Sequence, residues 1–417
     1  MKKFSSEFLL GAATAAHQVE GSNTNSDFWA MENVTGSMFK EPSGDSVDHF
    51  NRYKEDIGLM ANAGLNAYRF TIEWARVQPA KDIFDDNAIR HYREMLEYCR
   101  AKGVEPIVTM HHFTSPKWLI YEGGWENEST ADYFAAYCSC VVKELGHLMR
   151  YVCTINEANM GLQLVKLVKD MMAKLGDVQT GIDMNALMAE RMKPMTVAFP
   201  GADPGKIHHF LSPRTPEGDL VIARAHEKAR DAMKAVRPEL QIGITLSLHD
   251  FQPQPGCEAI AHAEWDEEFL HYLPHLEKDD FIGVQNYSRR IIGKDGGLPP
   301  PEGAELTQMG YEYYPEAIGN VVRTVSKSWK KPIIITENGL SMDDDSRRVE
   351  FIKRALKGVQ SCIDDGIDVR GYMYWSLLDN FEWMLGYEKT FGLIAVDRTT
   401  QTRTPKESLT VLGGYRG

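Results

Sequence analysis

The amino-acid sequence predicts an α/β protein folded as a (β/α)8 barrel, the TIM-barrel architecture, with elaborated loops at the carboxyl ends of its strands. Eight short apolar segments run through the chain, and amphipathic stretches separate them. The apolar segments lack long polar–apolar alternation, as is typical of parallel strands buried on both faces. No glycine-rich phosphate-binding motif follows the first segment, which disfavours the competing doubly wound open sheet. We expect residues 1–417 to form one domain, because barrels of this length are common.

Each predicted strand is a run of aliphatic or aromatic residues bounded by polar residues or glycine. In a closed parallel barrel the carboxyl ends of the strands meet at one rim, where functional side chains gather. The eight strands are expected at Phe8–Thr14, Asn66–Ile72, Glu105–His111, Tyr151–Asn156, Gln241–Ser247, Phe281–Tyr287, Pro332–Glu337 and Val369–Ser376.

The segments between the strands have the apolar spacing of helices that pack on a barrel. In Asp86–Lys102, apolar residues recur at positions i, i+3, i+7 and i+10, and Gly103 ends the pattern. The Pro- and Gly-rich stretch Gly293–Gly303 predicts a surface loop over the barrel mouth. Further helices are expected at Asp48–Ala63, Gly218–Val236 and Ser346–Asp365.

The amino-terminal residues 1–16 allow two interpretations. Two lysines, the apolar run Phe8–Ala13 and a small-residue segment after it resemble a signal peptide with its cleavage site. Polar residues at positions 5–7 interrupt this pattern, and its apolar core is short. We favour a buried first strand followed by a polar loop that begins at His17, and therefore expect no export.

Composition excludes some partners and favours others. The formal charge of −13 disfavours nucleic acid, whose phosphates would be repelled, and fits a neutral small-molecule substrate. No apolar run approaches the roughly 20 residues that a membrane span needs. The six cysteines show neither disulfide-framework spacing nor a CxxC pair, which predicts a reduced, cytoplasmic setting. We expect no cofactor and no metal, and a homo-oligomer is compatible with the sequence.

Two glutamates carry the strongest chemical signal. Tyr151–Ile155 leads into Asn156 and Glu157, and Pro332–Thr336 leads into Glu337, which Asn338 follows. Two carboxyl groups at the ends of barrel strands are what hydrolysis of a sugar acetal requires. One carboxyl must be protonated to release the leaving group, and the other must be ionised to meet the developing positive charge.

Other polar and aromatic residues lie at the ends of the predicted strands, and we expect them to converge on the same mouth. Each also has an ordinary structural interpretation: an arginine can be an ion-pair partner, a tryptophan can belong to the core, and paired histidines can bind a metal. We favour sugar binding for the tryptophans, because an indole face covers the C–H patches of a pyranose. The set comprises Gln18, Arg69, Glu73, His111, His112, Asn156, Glu157, Tyr287, Glu337, Trp375, Glu382 and Trp383.

With these motifs the chain resembles glycoside hydrolase family 1, the β-glucosidase family of retaining (β/α)8 barrels, nearly from end to end. The similar stretches are Phe8–Gly21, Tyr68–Arg76, Thr109–Phe113, Gly123–Trp125, Thr154–Glu157, Ile335–Gly339, Trp375–Trp383 and Phe391–Asp397. The two glutamate motifs together are highly specific for the family, and the tryptophan-containing segment is nearly as specific.

The resemblance implies a role for each matched residue. Glu157 would be the acid/base and Glu337 the nucleophile, flanked by Arg69 and Tyr287. Asn156 would bind the sugar 2-hydroxyl, and Trp375 would form the platform under the sugar. The remaining hydroxyls would be bound by Gln18, His112, Glu382 and Trp383.

Three departures from the family pattern stand out. Ala158 replaces the proline that usually follows the acid/base, and Phe113 replaces a tryptophan. In the sixth strand Gln285 takes the place of an asparagine, so that either Asn286 or Tyr287 could face the nucleophile. A slip of one residue reverses the faces of a strand, so these alternatives exclude each other, and we choose Tyr287.

The resemblance implies a retaining β-glycosidase that cleaves terminal β-glycosyl residues through a covalent glycosyl-enzyme, with glucose or a close epimer as the sugar. The alternatives are a 6-phospho-sugar substrate, transglycosylation, and a non-catalytic sugar-binding barrel, which is expected to lose one glutamate. Methionines are frequent in residues 160–195 and are either ordinary helix core or an adaptable apolar rim for the aglycone. They are Met160, Met171, Met172, Met184, Met188, Met192 and Met195.

Overall fold

A computed structural model describes residues 2–176 and 193–417. Its central feature is a parallel barrel of eight strands, as the sequence predicts, and the predicted boundaries differ from the observed ones by at most two residues. The strands are β1 (Leu9–Ala13), β2 (Ala67–Thr71), β3 (Glu105–His111), β4 (Tyr151–Ile155), β5 (Gln241–Gly243 and Thr245–Ser247), β6 (Ile282–Gln285), β7 (Ile333–Asn338) and β8 (Val369–Trp375).

The barrel closes through β5, which is interrupted at Ile244. Its first half pairs with β4, where Gly243 lies opposite Cys153. Its second half pairs with β6, where Thr245 lies opposite Gly283. Parallel pairing continues from β6 through β7, β8, β1, β2 and β3 back to β4. The fifth strand therefore changes partner halfway along its length, and this change joins the two edges of the sheet.

Helices surround the barrel, and the four predicted from apolar spacing are all observed. Additional 3-10 turns occur at Gly124–Glu126, Gly146–Leu148, Pro204–Lys206, Leu270–Leu276 and Trp383–Leu385. The α-helices include Ala16–Val19, Asp27–Glu32, His49–Asn62, Trp74–Val77, Asp86–Ala101, Lys117–Tyr121, Ser129–Leu145, Met160–Gly176, Pro216–Val236, Glu258–Glu268, Ala317–Ser328, Asp345–Asp364 and Glu407–Gly413.

Two short sheets lie outside the barrel. Ile394–Val396 pairs with Arg403–Pro405. Asp250–Pro253, Arg289–Gly293 and Gly296–Gly297 form the other sheet. The prediction that Gly293–Gly303 is entirely a loop is therefore wrong at its beginning, where backbone pairing across a tight turn outweighs the low strand propensity of glycine.

The predicted first strand takes a central place in the barrel. Each residue of β1 is buried, and the strand pairs with β2 on one side and β8 on the other. Leu10 and Ala12 have no exposed surface. None of the helices in the described part of the chain has the length and apolar character that crossing a lipid bilayer requires.

Candidate active site

A cavity of about 600 Å³ opens where the carboxyl ends of β3, β4, β6, β7 and β8 meet. Its size lies within the range of sites that enclose small ligands. Eight of the ten residues assigned to the site from sequence line this cavity. They are His112, Asn156, Glu157, Tyr287, Glu337, Trp375, Glu382 and Trp383.

Glu337, near the end of β7, is 3% exposed, and both of its carboxylate oxygens receive a hydrogen bond. Arg69 donates from Nη1 to Oε1, and the Tyr287 hydroxyl donates to Oε2 over 2.6 Å. Tyr287, and not Asn286, reaches this carboxylate, because the Asn286 amide donates to the carbonyls of Leu248 and Ser288. Glu337 is therefore a carboxylate with a compensating cation and a second donor.

Glu157, two residues beyond the end of β4, has a different environment. It is 6% exposed, and its backbone has φ of 44°, in the left-handed region. Burial, and after it the negative charge of Glu337, raises the pKa of Glu157 to about 8, while the Ser247 hydroxyl acts in the opposite direction. Two carboxyl groups thus face one cavity in different surroundings: Glu337 is paired with a cation, and burial favours the protonated form of Glu157.

Asn156, which precedes Glu157, is hydrogen-bonded to Arg69, the residue that donates to Glu337. Asn156 Oδ1 accepts from Arg69 Nη2 over 2.5 Å and from Gln285 Nε2 over 3.2 Å. The Asn156 amide nitrogen lies 3.1 Å from His112 Nε2. Burial lowers the pKa of His112 well below its usual value, and the charge of Arg69 adds to this effect, so the imidazole is neutral. Asn156 and His112 therefore offer the cavity an uncharged polar surface.

The aromatic floor of the cavity comes from β8 and the segment after it. The Trp375–Ser376 peptide bond is cis, and the Trp375 ring stacks on His112 with 5.5 Å between centroids. Trp383 packs at 5.1 Å against Phe113, which occupies the position of the usual family tryptophan. Burial, followed by the charge of Glu337, raises the pKa of Glu382 to about 8. This floor combines flat apolar rings with one carboxyl group.

Gln18 and Arg69 do not line the cavity and lie beneath its wall. Gln18 has no exposed surface, and it donates to the Phe381 carbonyl over 2.7 Å and to Glu382 Oε2 over 3.4 Å. Gln18 therefore lies against Glu382, which lines the cavity, and its assignment to a sugar hydroxyl stays a prediction.

Glu73 and His111 also lie away from the cavity, contrary to the expectation that all strand-end residues converge there. Glu73 accepts from the Ala75 backbone and from the Thr114 hydroxyl. His111 lies 3.0 Å from Ser115 Oγ, and burial lowers its pKa to about 3. Neighbouring strand residues point to opposite faces, which explains why His112 enters the site while His111 enters the core.

Several cavity residues were not anticipated from the sequence. Ser247 ends β5, and its position at a strand end could have indicated it. Tyr311 comes from irregular chain between β6 and β7, where no periodic pattern marks it, whereas Leu298 belongs to the stretch Gly293–Gly303 that was expected over the barrel mouth. No group of three or more potential metal ligands occurs among residues 2–176 and 193–417.

The methionine-rich segment is only partly described. Met160 lines the cavity, and Met195 is half-buried against the core. The side chains of Met171, Met172, Met184, Met188 and Met192 lie outside the described residues. The hypothesis of an apolar rim stays a prediction for those five.

Residues 1–181 and 266–412 match the family model described as Glycosyl hydrolase family 1, which covers more than half of the chain. The chain belongs to glycosyl hydrolase family 1. The predicted family, the barrel fold and the enzyme class are thereby confirmed, and this family 1 protein is a retaining glycosidase of the β-glucosidase type.

Individual relatives agree with this family membership. β-Glucosidase A of Thermotoga maritima is 29% identical to this family 1 chain, over 98% of this chain and 96% of the relative. The crystal structure of β-glycosidase BGL167 superposes with a TM-score of 0.90 at 44% identity, covering 99% of this chain and 96% of that chain. The Thermotoga maritima β-glucosidase in complex with glucoimidazole gives a TM-score of 0.83 at 26% identity, covering 99% and 98% of the two chains.

Proposed function

We propose that Glu157 is the acid/base and Glu337 the nucleophile in hydrolysis of terminal β-glucosides or closely related β-glycosides. The observation that carries this assignment is the contrast between the two carboxyl groups. Glu337 accepts bonds from Arg69 and Tyr287, whereas burial and the charge of Glu337 keep Glu157 protonated near neutral pH. A retaining glycosidase needs such a pair, with one proton donor and one anionic nucleophile.

The first displacement transfers the sugar to the protein. A carboxylate oxygen of Glu337 forms a bond to the anomeric carbon as the bond from that carbon to the leaving oxygen breaks. Glu157 gives its proton to the leaving oxygen, so the aglycone departs as a neutral alcohol. Esterification removes the negative charge of Glu337, and with it one of the causes that raise the pKa of Glu157.

The second displacement returns the protein to its starting state. Ionised Glu157 takes a proton from a water molecule, and the water oxygen bonds to the anomeric carbon from the face that the aglycone left. The ester bond to Glu337 breaks, and the carboxylate again accepts from Arg69 and Tyr287. Two inversions at one carbon give net retention of the β configuration.

The sugar contacts follow from the walls of the cavity. We assign the platform under the sugar to Trp375, the 2-hydroxyl to Asn156, and other hydroxyls to His112, Glu382 and Trp383. No lysine occurs among the described residues that line the cavity, and the guanidinium of the lining residue Arg289 is paired with Glu312; we therefore favour an unphosphorylated sugar over a 6-phospho-sugar. Gln18, which contacts Glu382, is assigned to a sugar hydroxyl as well.

Product stereochemistry tests the proposed reaction. A panel of nitrophenyl glycosides identifies the sugar, and proton NMR during early turnover identifies the anomer released. We expect the β anomer to appear first and the α anomer to follow only by mutarotation. Initial release of the α anomer would contradict double displacement, and faster cleavage of a glucoside 6-phosphate than of the glucoside would contradict the assigned sugar.

We expect kcat/KM for a nitrophenyl glucoside to fall as the pH rises through the pKa of Glu157, about 8, because only the protonated carboxyl can act as the acid. Between pH 4.5, the ordinary pKa of a glutamate, and pH of about 8, Glu157 is protonated in the native protein and ionised in the unfolded chain. The contribution of Glu157 to the free energy of unfolding therefore also falls with rising pH in this window. Glu382→Gln is the control: the basic limb should persist there and disappear in Glu157→Gln.

Tyr287→Phe is expected to lower kcat by about 10- to 100-fold, because a hydrogen bond to a charged group contributes about 1.5–3 kcal/mol. The substitution removes the 2.6 Å bond to Glu337 Oε2 and leaves the ring in place. Steady-state kinetics with a nitrophenyl glucoside measures the effect. Tyr313→Phe is the matched control, since that hydroxyl donates to the Arg347 carbonyl away from the cavity. Equal losses in both variants would contradict the assigned contact.

The remaining assignments are also proposals. A single domain is supported by one continuous core cluster that includes residues from Phe4 to Tyr415. A reduced, cytoplasmic setting is supported by six cysteines that are all free thiols. The absence of a nucleic-acid partner rests on the formal charge of −13.

A further inference from the structure

The partner change in β5 leaves one residue unusually placed beside the acid/base. Gly243 is the last β5 residue paired with β4, and Thr245 is the first paired with β6. Thr245 has therefore left the ladder with β4 and turned toward the segment that follows β4. Its side chain is fully buried at this position.

Thr245 makes hydrogen bonds along the segment that carries Glu157. Its hydroxyl accepts from the Glu157 backbone N–H over 3.1 Å and lies 3.2 Å from the Ile155 carbonyl, to which it can donate. Its backbone carbonyl accepts from the Ala158 N–H over 3.1 Å. The hydroxyl also lies 3.4 Å from Asn156 Oδ1. One threonine thus holds the chain before, at and after the glutamate.

These bonds matter because the backbone at Glu157 is in a sparsely populated conformation. A φ of 44° is unfavourable for a residue with a side chain, and such conformations persist when surrounding contacts hold them. The direction of the Glu157 side chain depends on this φ. Hydrogen bonds to the N–H groups of residues 157 and 158 therefore help to set the direction of the Glu157 carboxyl group.

The alanine at position 158 makes one of these bonds available. The family pattern usually has proline there, and proline has no N–H to donate. In this chain the Ala158 N–H donates to the Thr245 carbonyl, and the Ala158 carbonyl accepts from Arg214 over 2.6 Å. The hydrogen bond to β5 takes the place of the restriction that a proline ring would impose on the backbone.

The neighbouring strand leaves room for this threonine. A Cβ atom at Gly283 would lie 2.5 Å from the Thr245 methyl carbon and 2.9 Å from the Thr336 hydroxyl. The glycine opposite Thr245 therefore lets the methyl group point toward β6 while the hydroxyl faces the Glu157 segment. Residues 182–265, which include Thr245, lie outside the family match.

We infer that Thr245 is a positioning residue whose hydroxyl, by holding the backbone at residues 155–157, aims the Glu157 carboxyl at the leaving oxygen. The inference rests on the proposed role of Glu157 as acid/base. Thr245 does not line the cavity, so it acts on the reaction through the backbone of residues 155–158.

The test replaces Thr245 by valine, which keeps the shape of the side chain and removes its hydroxyl. We expect kcat/KM to change less than about 2-fold with 2,4-dinitrophenyl β-glucoside, whose leaving group needs no proton. Phenyl β-glucoside has a leaving group that does need a proton, and for this substrate we expect kcat/KM to fall by about 10- to 50-fold. This is less than the loss expected when the acid itself is removed. Thr245→Ser retains the hydroxyl and is expected to restore activity toward the phenyl substrate.

Thr154→Val is the matched control, since the hydroxyl of that buried threonine on β4 lies 2.8 Å from His226 Nδ1. It should show no dependence on the leaving group. An equal loss of Thr245→Val on all substrates, no loss on any, or failure of serine to restore activity would overturn the inference. If Thr245→Val does not fold, Thr245→Cys takes its place in the same series.

Glu157→Ala, measured in parallel, separates the inference from the proposed function. A steep dependence on the leaving group in Glu157→Ala with a flat one in Thr245→Val would overturn only the role of Thr245. A flat dependence in Glu157→Ala would overturn the acid/base assignment itself, and the role of Thr245 with it.

Discussion

Glu337→Ala is expected to abolish turnover, with kcat on a nitrophenyl glucoside falling by at least about 10⁴-fold, because no other group can form the glycosyl ester. Glu157 and Glu382 also line the cavity, and burial, the largest cause of the raised pKa of both, persists when Glu337 is removed. The measurement is the initial rate with 2,4-dinitrophenyl β-glucoside, which also reveals any burst of released phenol. We expect no burst in the variant.

Loss of activity through misfolding must be separated from loss of the nucleophile. Alanine at position 337 leaves the buried Arg69 guanidinium without its carboxylate, which commonly costs about 3–5 kcal/mol. Glu337→Gln keeps an oxygen that can accept from Arg69 and lets the Tyr287 hydroxyl accept from the new amide. A folded and inactive glutamine variant, shown by its thermal midpoint, supports the role. Full activity in either variant ends the assignment.

The second large effect is expected in Glu157→Ala, where hydrolysis of phenyl β-glucoside should fall by about 10²–10⁴-fold, the usual range of acid–base catalysis. Sodium azide should restore turnover of 2,4-dinitrophenyl β-glucoside, because an anionic nucleophile needs no base to attack the glycosyl ester. The product should be the β-glucosyl azide, since azide approaches from the face that the aglycone left. Mass spectrometry and proton NMR of the product check this outcome.

Glu382→Ala is the control for azide rescue. Glu382 lines the same cavity, and burial also raises its pKa to about 8, but it is assigned to bind the sugar. Its loss should weaken activity without any response to azide. Rescue of Glu382→Ala, or a product of inverted configuration from Glu157→Ala, would reverse the assignment.

The barrel was predictable because parallel strands that are buried on both faces appear in the sequence as short runs of apolar residues. β3 and β4 begin at the expected residues, and helix Asp86–Ala101 ends one residue before the expected position. The orientation of Tyr287 toward Glu337 was also accessible, because alternation along a strand excludes Asn286 and Tyr287 facing it together and the resemblance to the family favours Tyr287. Residues whose position follows from a strand end were therefore placed well.

Features that depend on how the barrel closes could not be predicted from the sequence in the same way. The interruption of β5 at Ile244 directly follows Gly243, but one glycine in an apolar run does not reveal that the strand changes partner where the sheet joins its own edge. Gln18 follows β1 but turns beneath the wall to reach Phe381 and Glu382. Tyr311 reaches the cavity from chain whose path is set by packing rather than by periodicity.

Arg69 determines, through Asn156, which nitrogen of the His112 imidazole carries the hydrogen. A guanidinium can only donate, so the Asn156 amide must turn its oxygen toward Arg69 and its nitrogen toward His112. His112 must then accept at Nε2 and carry its hydrogen on Nδ1. A side chain without exposed surface thereby selects the tautomer of an imidazole in the cavity wall, and nitrogen NMR of His112 should report that tautomer in the wild type and a mixture in Arg69→Met.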